Sequence, residues 1–362
     1  MTSPDQAAPQ AGAADTGRTS DAIYYPGFDW LRATLAIVVM LGHDNLIAWH
    51  DSGTFAVDVF FALSGWLIGG ILVKLEVRQL PRFFFNRSMR IWLPYYIGLA
   101  LLLGVSLLRD KVTDKWLEFV SYKVLMVWNL FGSSQVAGFR DAMPLQSTGN
   151  HFWSVNAEEQ FYLLAPLLLV VAARWGRSMG LWALLALIAW CIDVYPSIFL
   201  GVLAALAAAR WPGFQLRPWV RGLCLAVGFG AAVGLVVGQP YIVLAPLCAI
   251  SIVLLLATPG TASRLGTIAG GMSYPLYLNH WIGVFVGNAL LGPFGLRNSP
   301  PRQVLACLIS IGFAVAHYHW IDRQVLQRRS DWYTPARGRL LMGLAYTMVA
   351  CGLFWGFYLR HA

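Results

Sequence analysis

Charge is what this chain lacks most. Of its 362 residues only 12% are Asp, Glu, Lys or Arg, against roughly 25% in a soluble domain. So few charges do not make a water-facing surface for a protein of this length, which excludes a soluble enzyme or binding module. Ten-residue stretches of alternating apolar and polar residues are also missing, and with them the signature of a transmembrane barrel. The five cysteines, Cys191, Cys224, Cys248, Cys307 and Cys351, stand singly in apolar runs. Without paired spacing they offer neither a metal cage nor a disulfide framework and read as core packing. No metal is expected. A basic start, a short apolar core and a cleavage site do not follow one another near the N-terminus, so no signal peptide is expected. Residues 1–22 hold no aromatic side chain and read as a disordered tail.

What is present is hydrophobic: 58% of the chain, with a mean hydropathy of +0.59. Apolar runs recur about eleven times, beginning with 28–50, 55–74, 92–108 and 157–174 and ending with 338–358. The expected fold is an all-α polytopic membrane protein of about 10–11 transmembrane helices, with no soluble domain. A net charge of +9 invites a nucleic-acid reading, but topology explains it better. With the N-terminus in the cytoplasm, the inner loops hold about twice as many basic residues as the outer ones, a positive-inside bias. The expected partner is therefore membrane lipid and not nucleic acid. The chain divides into the tail 1–22, a transmembrane core 23–325, and a C-terminal part 326–362 with a basic inner loop and one further helix. Within the core, 109–156 is a long outer connection that reads as a lid, a re-entrant segment or a passive connector.

Polar residues inside such runs mark function. Arg32 and His43 share the first run and stand eleven residues apart, about three helical turns and roughly 16 Å of rise. They would project from one face at two depths of a membrane, with Arg32 toward the cytoplasm. A charge near mid-membrane costs about 2.5–3.5 kcal/mol on insertion scales, which a buried polar pathway would justify. Three further segments accompany this pair: GTFAVDVFFALSGWLIGG (53–70), carrying Asp58; RFFFNRSMRIWLPYY (82–96), with Arg82, Arg87 and Arg90; and HFWSVNAEEQFYLLAP (151–166), with Glu158, Glu159 and Tyr162.

Together they resemble acyltransferase family 3, the transmembrane acyltransferases that modify surface polysaccharides and related glycans. The resemblance rests on the Arg–His pair, on AVDVFFALSG, RSMRIWLPYY and WSVNAEEQFY, and on a later MSYPLYLNHW (272–281). It runs from residue 28 to about 323. Asn86 replaces a second adjacent arginine found in many members, and Pro94 falls one residue late. The resemblance implies an acyl-CoA donor, acetyl-CoA in the first instance, approaching from the cytoplasm. It also implies a glycan or polyprenyl-linked oligosaccharide acceptor, with exopolysaccharide favoured, in a bacterial inner membrane.

Acyl transfer to a hydroxyl needs a base, stabilisation of an oxyanion and a holder for the donor. His43 suits the base, with Asp44 or Asp58 to orient its ring. Arg82, Arg87 and Arg90 suit the phosphates of coenzyme A, Arg87 and Arg90 sharing a helix face. They also suit plain topology determinants. Arg32 suits either the donor or an ion pair with Asp29. Adjacent helical residues lie about 100° apart, so only one of Glu158 and Glu159 can face a common pore. The resemblance favours Glu158, and Tyr162, one turn on, suits donation to an intermediate or positioning of the acceptor. His280, three residues after Tyr277, is a candidate for the same cavity as His43. The competing readings are a transporter with a polar translocation path and transfer of succinyl in place of acetyl.

Overall fold

The computed structural model describes residues 23–361, so the tail 1–22 lies outside the described residues. Among the described residues every regular element is helical. The longer helices are, in chain order, α1 Pro26–His43, α2 Ser52–Leu72, α3 Leu80–Arg109, α4 Asp114–Val124 and α5 Phe152–Pro166. There follow α6 Met179–Cys191, α7 Pro196–Arg210, α8 Pro218–Val236, α9 Tyr241–Leu256, α10 Arg264–Asn279, α11 Trp281–Leu291, α12 Pro300–His317, α13 Arg323–Trp332 and α14 Pro335–His361.

Among the described residues five helical stretches are long and apolar enough to cross a membrane: Ser52–Leu72, Val77–Arg109, Pro218–Val236, Pro300–Trp332 and Pro335–His361. Four shorter apolar helices fill the bundle, including α6, α7 and α9. The molecule is an all-α, multi-pass membrane protein. α1, α5 and α10 belong to neither set, because Asp29, Arg32 and His43, the Glu158–Glu159–Gln160 run, and a Ser/Tyr/Asn-rich sequence dilute their hydropathy. They sit in the interior instead, where α1 packs between α10 and α2, and α2 meets α5, α7 and α9.

Close packing fixes these positions. α2 and α7 cross at Gly65 and Gly201, where an added Cβ would run into the carbonyl of Ile198 or of Ala62. Small residues let the two backbones meet, and Ser64, beside the crossing, lines the interior cavity.

Several boundaries differ from the hydropathy reading. The first run ends as helix at His43, not near residue 50: the Asp44 and Asn45 amides bond back to Met40 and Gly42, and Asn45 takes a left-handed conformation. α3 begins at Leu80, well before the apolar run at 92, and continues through Pro94, so Arg82, Arg87 and Arg90 ride on the helix itself. The run 271–291 is divided at His280, the junction between α10 and α11. α6 and α7 are separate helices, joined where Asp193 and Tyr195 take positive φ.

The connection between α3 and α5 is folded onto the bundle. Phe119, Trp128 and Phe131 are buried, the Trp128 amide donates to Asn156 Oδ1 at 2.9 Å, and Gln160 Nε2 donates to the Met126 carbonyl at 2.9 Å. Lys123, read from sequence as a loop charge, is 1% exposed. Its ammonium donates to the Gly149 carbonyl at 2.8 Å and lies 3.7 Å from the Trp128 ring centre. Arg302, also read as a loop charge, is buried against Asp44. α14 packs along α3, and Tyr346 donates to the Leu163 carbonyl of α5 at 3.0 Å.

Candidate active site

A cavity of about 470 Å³ lies between α1, α2, α3, α5 and α10. Arg32, Arg87, Arg90, Glu158 and Tyr162 all line it. Arg32 contacts Asp29 at 3.2 Å, so the ion pair and the cavity-lining position coexist. Gly270 of α10 makes room for the Asp29 carboxylate, since a Cβ there would collide with it.

α5 separates its two carboxylates, as adjacent helical positions require. Glu158 faces the cavity and accepts a hydrogen bond from Ser64 Oγ. Glu159 turns the other way and accepts from Trp92 Nε1 at 2.9 Å. Tyr162, one turn after Glu158, donates to Ser64 Oγ at 3.4 Å, and its ring lies under the Arg87 guanidinium at 3.9 Å. Nε of Arg87 is buried without a hydrogen-bond partner. Arg82 does not line the cavity; its guanidinium lies over Tyr333, 4.9 Å from the ring centre.

His43 is not on this lining either. It belongs to a second cluster, with ring centres 5.1 Å from His280 and 5.7 Å from His151, which are 4.6 Å from each other. His151 Nε2 lies 3.2 Å from the Leu278 carbonyl, and His280 Nδ1 lies 2.9 Å from the Tyr277 carbonyl. A carbonyl only accepts, so each of these nitrogens carries a proton, which leaves His151 Nδ1 and His280 Nε2 as lone-pair atoms in the neutral rings. His43 itself is exposed, while its two companions are buried.

Ser154 and Tyr277 stand between the two regions. Both line the cavity; their hydroxyls are 2.5 Å apart, and Tyr277 donates to the His151 carbonyl at 2.7 Å.

Neither carboxylate proposed to orient His43 does so. Asp58 accepts from Ser197 at 2.8 Å and from Tyr241 at 2.7 Å, tying α2 to α7 and α9. Asp44 is paired with Arg302. Asp58 is 15 residues from His43 in sequence, but the short turn after α1 and the rotation of α2 aim it at other helices. Glu158 and Tyr162 stand among the arginines and not beside His43. Sequence reasoning passed over His151, Ser154 and Ser64. The first two were visible as the polar residues at the head of the HFWSVNAEEQFY segment, and Ser64 within ALSG.

The acyltransferase domain family model matches residues 25–319. The chain belongs to that family. Among curated proteins this acyltransferase is similar to the peptidoglycan O-acetyltransferase OatA of Listeria monocytogenes, 32% identical over 165 residues, which are 43% of this chain and 26% of the relative. A protein described as a candidate O-acetyltransferase of Staphylococcus aureus is 28% identical over 223 residues, 54% of this chain and 36% of the relative. YrhL of Bacillus subtilis, described as a candidate peptidoglycan O-acetyltransferase, is 29% identical over 181 residues, 48% of this chain and 28% of the relative. The matched region thus spans only about a quarter to a third of these relatives. No solved structure matches the chain.

Proposed function

We propose that this acyltransferase moves an acyl group, acetyl in the first instance, from cytoplasmic acyl-CoA to a hydroxyl of a glycan reached from the outer side of a bacterial inner membrane. The observation that carries the reading is the juxtaposition of two unlike regions: an arginine-lined cavity that ends at Ser154 and Tyr277, and a histidine cluster directly behind them. The first suits a polyanionic donor and the second suits proton transfer.

In this reading His43 takes the proton of the acceptor hydroxyl as its oxygen attacks the thioester carbonyl carbon. The C–O bond forms, the tetrahedral intermediate collapses with cleavage of the C–S bond, and the proton passes to the departing thiolate. His280 and His151, each held by a backbone carbonyl, keep the pocket around His43 aromatic and uncharged. Arg32, Arg87 and Arg90 hold the donor. Tyr162 supports the Arg87 guanidinium from below, and Glu158, bound by Ser64, balances part of that positive charge.

An exopolysaccharide or lipid-linked repeat unit is the acceptor first proposed. Peptidoglycan is the second reading, favoured by the names of two similar proteins. The test is thiol release from acetyl-CoA by the purified chain in detergent, with each glycan supplied in turn. Acceptor-dependent release by wild type and its loss in His43→Ala are expected. Full transfer by His43→Ala would reject the base assignment, and vectorial flux without CoA turnover would indicate a carrier.

A further inference from the structure

Four arginines gather at one end of the cavity, and among the described residues none of them has a carboxylate at ion-pair distance. Arg87 and Arg90 line the cavity, Arg82 lies over Tyr333, and Arg329 of α13 sits within electrostatic reach of Arg82, Arg87 and Arg90. Among the described residues the arginines that do form ion pairs are Arg32, Arg78 and Arg302. Arg87 and Arg329 are both partly buried. Partly desolvated like charges repel, and a folded chain holds them together where an anion will join them.

The position of Arg329 follows from its helix. Asp322 and Leu326 line the cavity, and Arg329 is the next residue along that stripe at i+3 spacing. It extends the cavity wall outward. It also lies outside the stretch matched by the family, which ends at residue 319. α13 packs on α3, and Tyr333, just beyond α13, packs against Phe85 with ring centres 5.4 Å apart while carrying Arg82 on its other neighbour contact. The C-terminal segment therefore builds one side of the mouth.

We propose that Arg329, together with Arg82, binds the ribose 3′-phosphate of the acyl-CoA donor, while Arg87 and Arg90 bind its diphosphate. The assignment follows the linear order of the donor. With the thioester toward His43, the diphosphate meets the arginines that line the cavity, and the ribose phosphate meets the pair beyond them. This rests on the acyl-CoA reading above.

The test compares CoA with 3′-dephospho-CoA, titrated calorimetrically into the full chain in detergent, for wild type, Arg329→Gln and Arg329→Lys. Arg329→Gln should bind CoA about tenfold more weakly, as loss of one charge-assisted contact implies. It should bind dephospho-CoA as wild type does, and Arg329→Lys should recover part of the loss. KM for acetyl-CoA should rise in parallel, with kcat little changed. Equal CoA affinity in wild type and Arg329→Gln overturns the proposal, as does an equal loss for both ligands. Wild type that binds both ligands equally well overturns it too, while leaving the donor reading intact. Wild type that binds neither ligand removes the donor reading itself.

Discussion

The two ends of this site solve opposite electrostatic problems. Around Arg32, Arg87 and Arg90 there is open space; Asp29 pairs with Arg32, while the buried Nε of Arg87 is left without a partner. Among the described residues no carboxylate pairs with His43, its neighbour Asp44 being taken by Arg302, and two buried imidazoles are each fixed by a backbone carbonyl. One end presents an arginine-lined cavity, and the other presents rings held by backbone carbonyls. Between them, one layer of hydroxyls from Ser154 and Tyr277 is shared. Under the proposed function a ligand that engages both ends passes that layer, and binding and proton transfer are separable roles held about three turns of α1 apart.

That separation can be broken experimentally. The largest effect is expected for His43→Ala: turnover should fall by about 10²–10⁴, the usual contribution of a general base, while CoA affinity measured by titration stays at the wild-type value. A parallel loss of CoA affinity would mean that the two ends are not independent. Arg87→Ala should act the other way. It should weaken CoA binding by roughly 10–100-fold, from a charged hydrogen bond of about 1.5–3 kcal/mol, and leave turnover at saturating donor nearly intact.

Asp58→Asn should be smaller and of a different kind. Its carboxylate accepts two hydrogen bonds that join α2 to α7 and α9, and an amide cannot accept both as well, which costs about 1–3 kcal/mol. Thermal stability in detergent should drop while turnover per folded molecule persists. A folded but inactive Asp58→Asn protein would return Asp58 to the catalytic machinery.

The smallest effect is expected at Lys123, in the folded connection between α3 and α5. Burial pushes its ammonium well below the usual value of 10.5. Between that lowered value and 10.5 the unfolded chain binds more protons than the folded one, so stability rises with pH across this window. Lys123→Met should flatten the rise of Tm as pH climbs toward 10.5. An unchanged slope would show that Lys123 does not sense this window.

Much of the site was legible because its residues are out of place in their runs. Arg32, Glu158 and Tyr162 are polar groups at helical spacing in apolar sequence, and all three line the cavity. The 100° step of a helix said that only one of Glu158 and Glu159 could face the cavity, and the family resemblance chose Glu158, which is the one that does. The partners of His43 were legible only in part: His280 was a candidate for its cavity, and His151 was passed over. Asp44 and Asp58 are near it in sequence, and proximity in sequence suggested an acid partner. His151 and His280 lie in distant segments that meet His43 only when α1, α5 and α10 assemble. Lys123 and Arg302 misled for a related reason: composition counts a basic residue in a connection as a solvated charge, and only packing reveals that it is buried.

The sequence by itself determined the class of molecule and the kind of chemistry it carries. A shortage of charge and repeated apolar runs leave few alternatives to a helical membrane protein, and the ordered polar segments point to one acyltransferase family. Tertiary structure alone decided which polar residues keep company: arginines from α3 and α13 at one end, three histidines at the other, and Asp58 in neither place. The physical reason is that helical periodicity fixes which face a residue occupies but not which helix that face meets. The meeting is set by close crossings such as that of Gly65 and Gly201, whose effect is spread over the whole bundle.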